Sequence, residues 1–259
     1  MIDFVGAGPG AADLITVRGM RLIEEADVII YAGSLVNPDL VRGYAKRDAK
    51  IFNSAKMTLE EIIDVMREEH AAGKRVVRVH TGDPSLYGAI KEQMDALQAL
   101  DIPYRTTPGV SACFGAASEL NLEYTLPDVT QTLILTRMGG VTKVPEAERI
   151  EELARHHASM AIYLSAGMLP KVQQALLDGG YGADTPAMLA YKATWADQAY
   201  YPCTVSTIAQ TGEQHGITKT ALVLVGDVLS CDAKRSKLYD PAFTTGFRTS
   251  KSLEEADNE

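Results

Sequence analysis

Short apolar runs alternate with amphipathic helical patterns almost from end to end of this chain, and that rhythm leaves few folds open to it. Ile2 to Val5 has the length and content of a strand. Thr16 can cap a helix that carries Val17, Met20 and Ile23, and Val28 to Tyr31 reads as a second strand. Thr58-Leu59-Glu60-Glu61 has capping-box spacing ahead of apolar Ile62, Ile63 and Met66, with Gly73 standing where such a helix stops. Arg75 to Val79 predicts a strand, Ile90, Met94 and Leu97 share one helix face, and Ile102 to Arg105 begins a further strand. Strands separated by helices pair in parallel, because a parallel neighbour is reached only through a long crossover.

The pattern lapses over residues 121–130, where periodicity is absent and Pro127 is hostile to a strand. A domain junction is expected there, giving an N-terminal α/β domain over 1–120, a C-terminal α/β domain over 121–240 and a polar tail over 241–259. In the second part Thr132 to Thr136, Met160 to Leu164, Ala187 to Tyr191, Ala199 to Thr204 and Thr220 to Val225 predict strands. Helices are expected after Pro145, after Pro170 as far as Gly179-Gly180, and after Thr204 as far as Gly216.

Composition narrows the class further. The 259 residues carry 25 Lys and Arg against 34 Asp and Glu, a net charge of −9, and 46% are hydrophobic. That is the profile of a folded, acidic protein, and it weighs against one whose main partner is nucleic acid, since phosphate is bound through Lys and Arg. Unbroken apolar runs reach only five residues, as in Val28 to Ala32, so no membrane span is expected. Met1 runs straight into a strand pattern without a basic leader, so no signal peptide is expected. Three scattered cysteines, Cys113, Cys203 and Cys231, read as small buried hydrophobes and suit a reducing cytoplasm.

Three glycine-bearing loops follow predicted strands. Gly6-Ala7-Gly8-Pro9-Gly10-Ala11 follows the first, Thr81-Gly82-Asp83-Pro84-Ser85-Leu86-Tyr87-Gly88 another, and Pro108-Gly109-Val110-Ser111-Ala112 the next. Open α/β sheets bind ligands at that carboxyl edge, and glycine lets backbone approach a ligand closely. The alternative for each is an ordinary tight turn, with Asp83-Pro84 capping the following helix. Gly6, Gly8 and Ala11 also satisfy a dinucleotide fingerprint, but no carboxylate follows the second strand and Pro9 removes an N–H from the phosphate cradle. A non-catalytic dinucleotide-binding regulator is therefore the more distant alternative. Phosphate-loop, zinc-protease and esterase motifs are missing. His156-His157 suits a solvated helix end better than a metal, no metal site is expected, and His80 is the one histidine placed to matter.

The ordered set Gly6 to Gly10, Thr81 to Pro84, Pro108 to Ala112 and Thr220-Ala-Leu-Val-Leu-Val-Gly226 resembles the tetrapyrrole methylase family. Tyr31-Ala-Gly-Ser-Leu-Val36 resembles the branch that methylates precorrin-4, or its cobalt form, at C11 in cobalamin synthesis. The resemblance implies two α/β domains of the class III methyltransferase type with a ligand cleft between them, S-adenosylmethionine as donor, a tetrapyrrole substrate and a homodimer. Carried over by position, donor contacts fall on Pro9, Thr81, Gly82, Asp83, Leu86, Ser111, Ala112, Leu164, Ala193, Thr220 and Ala221. Uroporphyrinogen methylases similar to this chain carry an Asp after the tyrosine of the second strand, where here Ala32-Gly33-Ser34 follow Tyr31, so no base is assigned; Tyr31, Ser34 and His80 are the candidates.

An electron-rich tetrapyrrole carbon is itself a nucleophile toward a sulfonium methyl, so positioning should supply much of the rate. The substrate's carboxylates would be repelled by a protein of charge −9 unless basic side chains met them. Arg18, Arg21, Arg78, Arg137 and Lys143 are the candidates, each with solvated surface charge as the alternative. Arg137 and Lys143 bracket Met138-Gly139-Gly140 and are expected to clamp carboxylates.

Overall fold

The computed structural model describes residues 1–230 and 236–250; Cys231 and the final nine residues of the expected tail lie outside the described residues. Among the described residues, ten strands and eight α-helices follow one another as β1 (Ile2–Gly6), α1 (Val17–Glu25), β2 (Val28–Tyr31), α2 (Pro38–Tyr44), β3 (Lys50–Asn53), α3 (Leu59–Ala71), β4 (Val76–His80), α4 (Lys91–Ala99), β5 (Tyr104–Thr107), α5 (Ala112–Leu120), β6 (Leu133–Arg137), α6 (Ile150–Ala154), β7 (Ser159–Tyr163), α7 (Leu169–Asp178), β8 (Pro186–Tyr191), β9 (Ala199–Thr204), α8 (Ile208–Gln214) and β10 (Ala221–Val225).

The first five strands form one sheet in the order β3-β2-β4-β1-β5, every neighbour parallel. Alternate residues feed two cores. Val5, Ile29, Val77 and Val79 pack with Ile23 of α1 and with Leu40 and Val41 of α2. Ile2, Phe4, Val28, Ile30 and Val76 pack with Ile62, Ile63 and Met66 of α3 and with Leu97 of α4. The central strands β1, β2 and β4 are buried on both faces, which is why they read as largely apolar runs. Helix ends obey their local chemistry. The Thr16 hydroxyl accepts from Gly19 N at 3.1 Å, and Thr58 with Glu61 closes a reciprocal capping box. At the far end of α3, Gly73 has φ +73° and donates to the His70 carbonyl while Lys74 N donates to that of Glu69, a Schellman ending that glycine permits.

The second sheet runs β6-β7-β10-β8-β9. It is mixed: β6 and β7 are parallel, β7 and β10 antiparallel. Met160, Ile162, Leu176, Leu189, Ile208 and Val223 are buried with it. Gly212 admits Leu169, because a methyl group there would collide with the leucine's Cδ1.

Two compact units result, and they are discontinuous in sequence. One comprises Met1–Asn121 with Ala190–Tyr201 and Ile217–Leu222; the other comprises Leu122–Leu189, Pro202–Gly216 and the chain from Val223. Two stretches that a single cut near residue 121 assigns to the second domain thus cluster with the first. Asn121, at φ +50°, ends α5 in a left-handed cap. The segment after it is packed rather than loose, with Tyr124 and Leu126 buried and the Ser159 hydroxyl donating to the Tyr124 carbonyl. After Pro145 the chain makes only a 3₁₀ turn, and α6 starts at Ile150, because all of Glu146–Arg149 is exposed and Ile150 is the first buried residue to anchor a helix.

Candidate active site

At the carboxyl edge of the first sheet, the loops after β1, β4 and β5 meet backbone to backbone. A methyl group on Gly6 would stand 2.6 Å from Gly109 N and from the Gly82 carbonyl oxygen. One on Gly109 would fall inside 3.0 Å of both Gly82 and Gly6. Gly8 and Gly82 pair as an isolated bridge, with Gly82 N donating to the Gly8 carbonyl at 2.8 Å, and both have positive φ, +80° and +58°. Only glycine satisfies such spacing and such torsions together. Ser111, which caps α5, and the Ala112 amide that opens it border Gly82 at the same edge.

Asp83 ties two of these loops to each other. One carboxylate oxygen accepts from Gly109 N at 2.9 Å, and the other accepts from the Ser85 amide and hydroxyl. Burial works to raise its pKa, but the bonds from Ser85 and Gly109 outweigh it and leave the carboxyl below its ordinary value. Its charge therefore organises the cradle first. Thr81 and Leu86 flank it half-buried.

The segment after β8 braces the first loop. Thr194 Oγ1 accepts from Ala11 N at 3.0 Å, and the Trp195 indole donates to the Pro9 carbonyl at 3.3 Å. Gly10 lies so close to the indole that a side chain there would collide with it. Asn37 donates to the Gly10 carbonyl, and Gln198 links Thr194 N to Glu119 of α5. Lys192 N donates to the Thr220 carbonyl, which brings Ala193, Thr220 and Ala221 into the same unit as Pro9. Thr194, Trp195 and Gln198 were not legible as site residues, because a run of Thr, Trp, Asp and Gln has no periodicity; the chain's sole tryptophan was the one available signal.

The other candidates part company. Tyr31 ends β2, half-buried, and Ser34 is exposed just beyond it. His80 is buried against Phe4, ring centroids 6.0 Å apart, and its Nε2 has no partner among the described residues. Burial, then the neighbouring Arg78 charge, pushes its pKa down to about 3. So weak a base is poorly suited to take a proton at neutral pH. Arg78, expected to meet substrate carboxylates, is instead 4% exposed and points under α4, because position 78 shares the face of Ile2 and Phe4 rather than the solvent. Arg18 and Arg21 lie exposed on α1.

Arg137, Lys143 and Leu164 belong to the second unit. Arg137 spends its guanidinium on its own loop, donating to the carbonyls of Met138, Thr142 and Lys143. It folds that loop rather than presenting a free clamp. Lys143 is exposed. Leu164 is exposed at φ +52°, a torsion that a branched side chain adopts only under constraint, and Ser165 beside it accepts from Met138 N at 2.9 Å. Among the described residues no three His, Cys, Asp or Glu side chains group as a metal site, and no helix is long and apolar enough to cross a membrane. Cys113 is buried and Cys203 half-buried.

The fold and the glycine edge define a class, and the chain belongs to it: it is a member of the tetrapyrrole (corrin/porphyrin) methylases, whose family model matches residues 1–209. It is 51% identical over 250 residues to a cobalt-precorrin-4 C(11)-methyltransferase of Methanocaldococcus jannaschii, covering 96% of each chain. It is 46% identical over 239 residues to a precorrin-4 C(11)-methyltransferase of Pseudomonas aeruginosa, covering 92% of this chain and 94% of the relative. Among solved structures, a cobalamin biosynthetic cobalt precorrin-4 methyltransferase superposes with a TM-score of 0.86 at 43% identity, over 89% of this chain and 96% of that one. A uroporphyrin-III C-methyltransferase of Thermus thermophilus, solved with S-adenosylhomocysteine, shares the fold at a TM-score of 0.73 and 22% identity, over 88% and 93%.

Proposed function

We propose that this protein methylates a corrin precursor at C11, converting precorrin-4 to precorrin-5 in cobalamin biosynthesis with S-adenosylmethionine as donor; the cobalt-bearing form of precorrin-4 is the alternative substrate. One observation carries the reading: 51% identity, running over 96% of both chains, to an enzyme named for that step. The donor reading is supported by the glycine edge and by the shared fold of the Thermus enzyme that was solved with S-adenosylhomocysteine.

The residues present suit such a donor. Gly6, Gly82 and Gly109 keep side chains out of the place where three loops meet, and Asp83 holds two of those loops at fixed separation. Pro9, Thr81, Gly82, Asp83, Leu86, Ser111, Ala112, Leu164, Ala193, Thr220 and Ala221 are the proposed contacts. When bound, the sulfonium supplies an electrophilic methyl. The chain's part is to orient two reactants, which by itself is worth many orders of magnitude. A buried, neutral His80 leaves Tyr31 and Ser34, at the end of β2, as the groups available to accept a proton. For substrate carboxylates, Arg18, Arg21 and Lys143 keep exposed charges. A homodimer in the cytoplasm completes the reading, without nucleic acid or membrane as partner.

Calorimetric titration with S-adenosylhomocysteine, with NAD in parallel, tests the donor. Micromolar binding of the first and none of the second is expected; the reverse pattern would revive a dinucleotide regulator. Assay of C11 methylation on precorrin-4 with and without cobalt then separates the two substrates.

A further inference from the structure

Arg78 and Gln93 form a buried pair that no step so far uses. Arg78 is 4% exposed, as is Gln93, and among the described residues no carboxylate faces the guanidinium. Its Nε donates to Gln93 Oε1 at 3.1 Å and its Nη1 to the Ile30 carbonyl at 3.2 Å. Gln93 in turn donates Nε2 to the Ala89 carbonyl at 2.9 Å. Ala89 closes the loop that begins at Thr81, and the loop's exit is strained: Tyr87 has φ +56° and Ala89 φ +48°. Gly88 between them packs so tightly on the Pro84 backbone that a side chain would collide. Left-handed torsions at non-glycine residues persist only where the surroundings over-determine them.

The chemistry of the pair fixes its direction. A guanidinium has donors and no acceptor, so it takes the oxygen of Gln93 and leaves the amide nitrogen for Ala89. The same guanidinium anchors on Ile30, one residue before Tyr31. We propose that Arg78 and Gln93 are positioning residues: the buried cation orients the glutamine, and the glutamine holds the strained exit of the Thr81–Ala89 loop in the shape that receives the methyl donor. This rests on the donor reading above and deepens it. Arg78 then has a role that surface charge does not supply, and Gln93 one that a purely apolar residue in α4 could not.

Gln93→Glu tests this directly. It gives Arg78 a carboxylate but sets an oxygen against the Ala89 carbonyl, so the fold keeps its partner for the cation while the loop loses its anchor. The expected result is a melting temperature close to that of the unaltered protein, S-adenosylhomocysteine affinity at least tenfold weaker, and faster amide hydrogen exchange confined to residues 84–90. Unchanged affinity together with unchanged exchange in 84–90 would overturn the proposal. Should Gln93→Glu fail to fold, Gln93→Met is measured alone and with Ala89→Gly, which removes the torsional strain; recovery of most of the lost affinity in the double variant supports the clamp, and no recovery overturns it. If the unaltered protein binds no S-adenosylhomocysteine, the donor reading fails, while exchange in 84–90 still decides the clamp.

Discussion

After β1 and β5 the chain turns on glycines whose neighbours leave no room for a methyl group, and after β4 it turns on Gly82, whose φ of +58° suits glycine. After β6 and β7 it turns on side chains, with Arg137 gathering three carbonyls and Ser165 joining Met138 to Tyr163. The first arrangement is rigid because backbone contacts have no rotamers to exchange, and it leaves a bare peptide surface. The second is held by groups that are individually replaceable. A strand end built the first way suits an invariant ligand fragment; one built the second way can be re-shaped by substitution without disturbing the sheet.

The sharpest way to break this contrast is Gly109→Ala. The added carbon meets the Gly82 and Gly6 backbones, which have no flexible end to yield, so a loss of about 3 kcal/mol is expected, read as a lower melting temperature with donor binding abolished. A stable, binding-competent variant would remove the case for a rigid edge. Asp83→Ala comes next. It deprives Gly109 N and Ser85 of their acceptor, and a roughly tenfold loss of S-adenosylhomocysteine affinity is expected by calorimetry. Asp83 also marks the acid limb. Its folded pKa lies below the ordinary 3.8, so its contribution to stability is complete above that value and disappears as pH falls through the lower, folded one. The unaltered protein should lose melting temperature more steeply in that acid range than Asp83→Ala does.

Smaller effects are expected on the second unit. Arg137→Ala removes bonds to three carbonyls of a largely exposed loop, costing about 1 kcal/mol, with faster exchange in 138–143 and unchanged donor affinity. Weakened donor affinity in that variant would show that Arg137 does more than fold its loop. Gly140→Ala should be the mildest, within about 0.5 kcal/mol, since the new methyl would only touch Met168 at 3.5 Å. A collapse there would erase the distinction between the two edges.

Some of this was open to reading from residues alone, and for local reasons. Thr16, Thr58 with Glu61, and Gly73 act within a few positions of themselves, and their helix ends appear as expected. The central strands β1, β2 and β4 of the first sheet were visible because burial on both faces demands largely apolar residues. The short α2 and β3 went unread: Pro38–Tyr44 buries only Leu40 and Val41, and β3 is exposed at three of four positions, so neither carries a strong pattern. The glycine loops were legible as a site in outline, but not as a mutual contact. Arg78 was misread for a related reason, since an arginine's letter is the same whether its side chain meets solvent or lies beneath a helix.

The sequence by itself determined the α/β rhythm, the caps and the three glycine loops at strand ends, because each rests on torsions or on hydrogen bonds only a few residues apart. Tertiary structure alone decided that β10 runs antiparallel to β7, that residues 190–201 brace a loop some 180 positions earlier, and that Arg78 turns inward to Gln93. Those outcomes depend on sheet order and on which face of a strand a helix covers, and such long-range pairings leave no periodic trace in the chain.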